Sequence, residues 1–224
     1  MRGTIKDYFT PDLFHAVYIP ERSRENDSFY RLLTEYGHGE VRKIDFNDFF
    51  MILIADFTPA VTFERITDIQ CDYIEISQFE TDTSSYKVGG RRMKRVEQGI
   101  CCFANTSKTS YAYCEAGKPV RFVKILIGKD YFDSFLKVRY GDSYDHSRNA
   151  MDYLSRNPNL PELNYIFRQI KDCRAIGTAR QIYLESKVME ILSFVTHHYQ
   201  EGQNKSIFPS NWIDGTFTFF FFGK

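Results

Sequence analysis

The sequence predicts a mainly β chain with helices gathered at its C-terminal end, an antiparallel β-sandwich or barrel followed by a helical region. Three observations carry this reading. From about Phe14 to Ile127 the apolar residues fall in short, often alternating runs rich in Tyr, Phe, Ile and Thr, the pattern of pleated strands. No helix-length segment interrupts those runs, so parallel strands joined by crossover helices are excluded. After Gly128 the apolar period lengthens from two to that of a helix.

Nine strands are expected, at Phe14–Ile19, Phe29–Tyr36, Glu40–Ile44, Phe49–Ala55, Val61–Ile66, Tyr73–Phe79, Gly99–Ala104, Ser110–Cys114 and Val120–Ile127. Turn chemistry separates most of them: Gly37-His-Gly39, Asp45-Phe-Asn-Asp48, Asn105-Thr-Ser107 and Ala116-Gly-Lys-Pro119. Lys129–Val138 and Ser147–Ser155 read as short helices. Leu160–Asp172 sets Leu163, Ile166, Phe167 and Ile170 on one face. Thr178–Gln200 is the strongest helix, because Leu184, Val188, Ile191 and Val195 step by four, three and four into one stripe. A second line through Ile182, Tyr183, Met189, Leu192 and Phe194 widens its apolar surface, as expected of a helix with neighbours on two sides. The preceding helix and a second copy of the chain are the expected neighbours. The resulting divisions are residues 1–128 (β), 129–205 (helical) and 206–224. Five of the last eight residues are Phe, without periodicity, and this tail reads either as a hydrophobic docking strand or as a non-native replacement of the original continuation.

Composition excludes several classes. Lys plus Arg and Asp plus Glu number 29 each, so the chain lacks the broad positive field of a nucleic-acid binder. With 13 Gly and 5 Cys among 224 residues, collagen-like and disulfide-scaffold readings fail. The longest apolar run, Phe49–Ala55, is of strand length, far short of a membrane span. The N-terminus carries no apolar signal region, and the five cysteines contain no C-x-x-C pair, so reduced thiols in the cytoplasm are expected.

Catalytic signatures are missing as well. There is no phosphate-cradling glycine loop and no nucleophile elbow. The five histidines do not converge, and neighbouring His197 and His198 diverge around a helix. No metal, cofactor or catalytic residue is assigned. Cys101 and Cys102 follow each other in a strand and point to opposite faces. The conspicuous charge run is Lys87-Val-Gly-Gly-Arg-Arg-Met-Lys-Arg95. Arg91, Arg92, Lys94 and Arg95 there can hold a phosphate or carboxylate, or form a solvated loop balanced by Glu75, Glu80 and Asp82.

Two helical stretches carry a resemblance: Glu162-Leu-Asn-Tyr-Ile-Phe-Arg-Gln-Ile-Lys-Asp-Cys173, then Gly177-Thr-Ala-Arg-Gln-Ile-Tyr-Leu-Glu-Ser-Lys-Val-Met-Glu-Ile-Leu192. They resemble the linker-proximal helices in the sensor region of AraC-type transcriptional regulators, in the siderophore-regulator-like branch. Gly37-His-Gly-Glu-Val-Arg-Lys-Ile44, and Glu115-Ala-Gly-Lys-Pro119 leading into Phe122–Ile127, fit the same branch. The resemblance implies a cupin-like β-barrel that binds a small-molecule effector, followed by helices for dimerisation. It also implies two helix-turn-helix units, which nothing in residues 193–224 resembles, so no sequence-specific DNA binding is expected of this chain. The H-x-H pair of enzymatic cupins is missing too, which weighs against an enzyme.

The expected function is therefore the ligand-sensing and dimerisation domain of such a regulator. A cupin-type enzyme and a stand-alone dimerising modulator are the alternatives. Tyr73, Tyr111 and Tyr113, with Arg91 and Arg92, are the expected ligand-binding residues, since a phenol can both pack and orient a ligand. Tyr111 and Tyr113 share one face by the period-two rule, and that face is equally open to being the outer one. Tyr183, Met189, Phe194 and Phe167 are the expected homodimer contacts. No membrane partner is expected.

Overall fold

The computed structural model describes Ile5, Tyr8 and residues 18–24, 26–46, 49–69, 71–82, 84–90, 92–106, 108–156 and 160–207. Among them are β1 (Tyr18–Arg24), β2 (Asp27–Leu32), β3 (Gly37–Phe46), β4 (Phe50–Pro59), β5 (Phe63–Thr67), β6 (Asp72–Phe79), β7 (Ser84–Val88), β8 (Lys94–Arg95), β9 (Gly99–Thr106), β10 (Ser110–Cys114) and β11 (Val120–Gly128). They form a seven-stranded sheet in the order β1-β2-β3-β4-β11-β6-β9 and a four-stranded sheet in the order β5-β10-β7-β8. Every pairing is antiparallel, as the short connections demand.

The chain turns helical where the period changes. A π-helical turn (Tyr131–Leu136) leads into α1 (Lys137–Tyr140), followed by α2 (Tyr144–Arg156), α3 (Pro161–Lys171) and α4 (Gly177–Ile207). Pro161 sits in the first turn of α3, where its missing N–H has no intrahelical partner to lose. The α4 stripe of Leu184, Val188, Ile191 and Val195 is fully buried.

Two cores follow from strand parity. On β4, Phe50, Ile52 and Ile54 face the helices, while Met51, Leu53, Ala55 and Phe57 face the four-stranded sheet. On β11, Val123, Ile125 and Ile127 join the helix-side core, and Val120 and Leu126 join the barrel-side core with Phe122 packed against it. These two strands are apolar on both faces because each is covered on both faces. Ile125 lies between Ile52 and Ile76 in register, which places the middle of the large sheet at the centre of the helix-side core.

Some boundaries differ from the sequence reading. The first strand runs from Tyr18 to Arg24, and residues 14–17 lie outside the described ones. The second ends at Leu32, because a turn follows in which the Tyr36 and Gly37 amides donate to the Leu33 carbonyl. Strands β7 and β8 escaped the reading: Ser-Ser-Tyr-Lys-Val and Lys-Arg carry no alternating apolar signal. The tail from residue 208 onward, with its expected non-native character, lies outside the described residues.

Candidate functional site

Between the two sheets, the inward faces of β5, β6 and β11 each carry one charged side chain. Arg65 stands between Phe63 and Thr67, Glu75 between Tyr73 and Ser77, and Lys124 between Phe122 and Leu126. Lys124 faces Ser77 across the β11–β6 pairing, and Arg65 faces Ala112 across β10–β5. Small partners leave room for the long side chains to reach inward.

These groups meet at one phenol. The Tyr8 hydroxyl accepts hydrogen bonds from Arg65 Nη2 at 2.7 Å and Lys124 Nζ at 3.1 Å, and donates to Glu75 Oε2 at 3.2 Å. Lys124 Nζ also lies 2.7 Å from Glu75 Oε1, which accepts from Ser77 Oγ at 2.9 Å. The Lys124 and Glu75 side chains retain only 8% and 3% exposure. Burial by itself pulls the Lys124 ammonium toward its neutral form, but the adjacent Glu75 carboxylate and the Tyr8 hydroxyl together outweigh it and the pKa stands above the ordinary lysine value. Lys124 is thus charged inside the barrel at neutral pH.

Beside this cluster lies a cavity of about 70 Å³. Its walls include Phe57, Phe63, Ser84, Tyr86, Phe103 and Cys114, with Tyr8, Arg65, Glu75 and Lys124 contributing the polar part. An apolar cavity of about 150 Å³ is what benzene fills. A ligand with even one aromatic ring therefore enters only if a side chain moves. Tyr8 and Val96 are the lining residues that no strand carries, and of the two Tyr8 bears the polar group.

The sequence-predicted residues fall in several places. Tyr73 is buried at 2% exposure, edge-on to Tyr8 at 5.6 Å and to Phe103 at 6.2 Å, so it supports the cluster from behind. Burial, more than the nearby Tyr8 and Glu75, pushes its hydroxyl pKa well above the usual tyrosine range. Tyr111 and Tyr113 share a face, as period two requires, but it is the outer one. Their cross-strand partners on β5 are Ile66 and Glu64, both exposed. Tyr111 reaches the cavity rim while its ring takes the Lys87 ammonium at 4.3 Å. Tyr113 meets Glu64, a contact that raises its pKa. Arg91 lies outside the described residues, and Arg92 lines a different groove. The acids expected to balance the basic run divide: Asp82 pairs with Arg95, Glu80 with Lys171, and Glu75 is inside the barrel with Lys124.

Among the expected dimer contacts, Phe167 is fully buried within the chain's own core, which removes it from any surface a second copy can touch. Tyr183, Met189 and Phe194 are half-buried flanks packed against that core, and the Tyr131 hydroxyl approaches Met189 Sδ at 2.7 Å. The large apolar side chains left exposed on these helices and their connection are Tyr165, Ile176 and Ile182.

Lys124, Glu75, Arg65 and Tyr8 were missed as a site. A signal existed for the first two: each is a charge flanked by apolar residues in its strand, Ile74 and Ile76 around Glu75 and Val123 and Ile125 around Lys124. Nothing local marks Arg65 or Tyr8. Cys101 and Cys102 do take opposite faces. Cys102 is buried at 8% exposure against the Met151 carbonyl of α2, and Cys101 lies between the barrel cavity and the outer groove. Burial pushes the Cys114 thiol up to about 11. Among the described residues, no group of three His, Cys, Asp or Glu side chains is placed to hold a metal ion, and no helix is long and apolar enough to cross a membrane.

A family model described as the regulatory protein PchR N-terminal domain matches residues 37–207. No curated protein matches the sequence. Solved structures with similarity include the cupin domain of Cnp3 from Schizosaccharomyces pombe, at 10% identity over 53% of this chain and 73% of that one, with a TM-score of 0.33. A cupin domain of an XRE family transcriptional regulator from Enterobacter cloacae has 16% identity over 39% and 93%, with a TM-score of 0.31. Ectoine synthase from P. lautus has 15% identity over 43% and 67%, with a TM-score of 0.32.

Proposed function

Since the chain belongs to the family of the PchR N-terminal regulatory domain, we propose that it is the effector-sensing and dimerisation part of an AraC-type transcriptional regulator. In this reading residues 1–128 sense a small molecule and residues 129–205 join two copies. The chain is a cytoplasmic binding module, not an enzyme, and does not itself read DNA sequence.

The observation that carries the reading is the buried Lys124–Glu75–Tyr8–Arg65 cluster. A fold gains little from such a group, because replacing a buried ion pair with well-packed apolar residues is often neutral or stabilising. A polar cluster beside a cavity, on rigid strands, suits a ligand that needs orienting. Tyr8 indicates the chemistry: its hydroxyl accepts from two cations and donates to a carboxylate. An effector bearing a hydroxyl of its own satisfies the same three partners once Tyr8 withdraws, and the vacated ring volume accommodates its body.

Tyr8→Ala tests this. The variant should gain thermal stability as p-cresol is added, by mass action on the folded state. Toluene, which has the same shape without the hydroxyl, should do far less. No stabilisation by p-cresol would refute the barrel site. The dimer is tested separately. Exposed Tyr165 and Ile182, beside half-buried Tyr183, support a contact between copies along α3 and α4. Light scattering should give twice the 26.4 kDa of one chain, and Ile182→Glu should give monomers, because a charge buried without a partner opposes association. A monomeric wild type would end the dimer reading.

A further inference from the structure

Outside the barrel, a groove of about 410 Å³ runs along β9, the edge strand of the large sheet, where β7, β8 and α2 approach it. Four cationic residues from separate stretches line it: Lys87 on β7, whose ammonium also lies over the Tyr111 ring, Arg92 in the β7–β8 connection, Lys94 on β8 and Lys108 before β10. The acid lining it is Asp152 of α2, so the lining charges are four positive against one negative, a local excess of three. None of the four cations forms an ion pair with a carboxylate among the described residues. The whole chain is formally neutral, so this concentration departs from an even mixture of signs, and like charges held together disfavour the folded state until a counter-charge arrives.

The groove also has a floor. Ile74, Ile100, Phe103, Ala104 and Met151 supply apolar surface, and its volume falls within the range of small-molecule sites, about 300–1,000 Å³. Lys108 is held by its own turn, since the Asn105 side chain accepts from its amide at 2.9 Å and donates to its carbonyl at 2.9 Å. That turn and strands β7 and β8 carry three of the four cations, Lys108, Lys87 and Lys94.

We propose that this groove is a second binding site, for a small organic polyanion: a phosphorylated or polycarboxylated compound with an apolar body. The cations take the anionic groups and the floor takes the body. The site is separate from the barrel cavity but shares a wall with it. Tyr86, Cys101 and Phe103 line both spaces, and the Tyr86 and Phe103 rings stack at 5.8 Å. A ligand in the groove therefore rests against the back of the effector cavity, where it can bias which molecules that cavity admits.

Titration calorimetry on the full chain tests the proposal, with phenyl phosphate and benzene-1,3,5-tricarboxylate as probes and benzyl alcohol as the uncharged control. Both anions should bind, more weakly as salt is raised, and benzyl alcohol should not. Arg92→Ala/Lys94→Ala alters two exposed side chains and should weaken both anions by about tenfold or more, the loss expected with a charge-assisted hydrogen bond. Arg92→Lys/Lys94→Arg, which keeps the charge, should retain binding. The proposal is overturned if neither anion binds, if benzyl alcohol binds as well as they do, or if the alanine variant binds as tightly as the wild type. It is equally overturned if binding persists in the alanine variant and is lost in Tyr8→Ala, because the anion then sits in the barrel.

Discussion

Replacing Lys124 by Met keeps the length of the side chain and removes its charge from the interior of the barrel. Glu75 then stays behind, 3% exposed, without the ammonium that lay 2.7 Å away. Breaking a buried pair from one side typically costs about 3–5 kcal/mol. Glu75 keeps Ser77 Oγ at 2.9 Å and the Tyr8 hydroxyl at 3.2 Å as donors, so the lower end, about 3 kcal/mol, is expected here. Glu75→Gln should cost a similar amount, because it strands the Lys124 ammonium. The double variant Lys124→Met/Glu75→Gln should lose only about 1–2 kcal/mol, since no buried charge is left unpaired and only the charged acceptor of Ser77 and Tyr8 is gone. Urea unfolding reads this directly: with a slope of about 2–3 kcal/mol per molar, each single change lowers the midpoint by about 1–1.5 M. In a thermal scan the same loss corresponds to roughly 6–12 °C. Because the folded-state pKa of Lys124 is raised, its contribution is fully present below the ordinary value of 10.5 and is lost as pH rises through the folded value. The cycle therefore belongs near neutral pH. Single variants losing less than about 1 kcal/mol, the worth of an exposed pair, or a double variant equal to the sum of the singles, would refute the account of a desolvated, mutually dependent pair.

Asp27 joins the sheet to α4: Arg42 donates to both its carboxylate oxygens at 2.9 and 2.7 Å, and Arg180 reaches it from α4. Partial burial raises its pKa, but the two guanidinium groups outweigh that and hold it below 3.8, so the stabilisation is present above 3.8 and is lost as pH falls through the folded value. Asp27→Asn should cost about 2 kcal/mol at neutral pH, and its acid-denaturation curve should be flatter below pH 4 than that of the wild type; parallel curves would contradict the assignment. At Gly39 the backbone has φ of +113° and a Cβ would lie 2.3 Å from the Asp56 carbonyl oxygen. Gly39→Ala should therefore unfold at much lower urea than the wild type, by more than the roughly 1 kcal/mol that a compatible glycine site loses or gains; an unchanged midpoint would mean β3 and β4 are less closely apposed.

Periodicity made much of the fold legible. Phe50–Leu53 and Ile125–Ile127 are apolar without alternation, which marks strands covered on both faces, and they occupy the middle of the large sheet. The stripe at Leu184, Val188, Ile191 and Val195 requires one buried helix face, and it is buried. The polar strands β7 and β8 were silent because strand pairing, of β7 with β10 and of β8 with β7, holds them in place rather than side-chain pattern.

Which residues share a face is thus a property of the sequence, while what stands opposite that face is a property of the folded chain. Period two assigned Tyr111 and Tyr113 to one side of β10 but left open whether that side was inner or outer, and the packing of Ser110 and Cys114 into the barrel turned the tyrosines outward. Likewise Phe167 belonged to an apolar face on any reading, and only the docking of α3 on the sheet and α4 decided that its own core covers it. The site itself was beyond local inspection. Lys124 meets Tyr8 from 116 positions away and Arg65 meets it from 57. Contacts of such separation arise when sheets close on each other and exclude water, a step that strand patterns permit but do not specify.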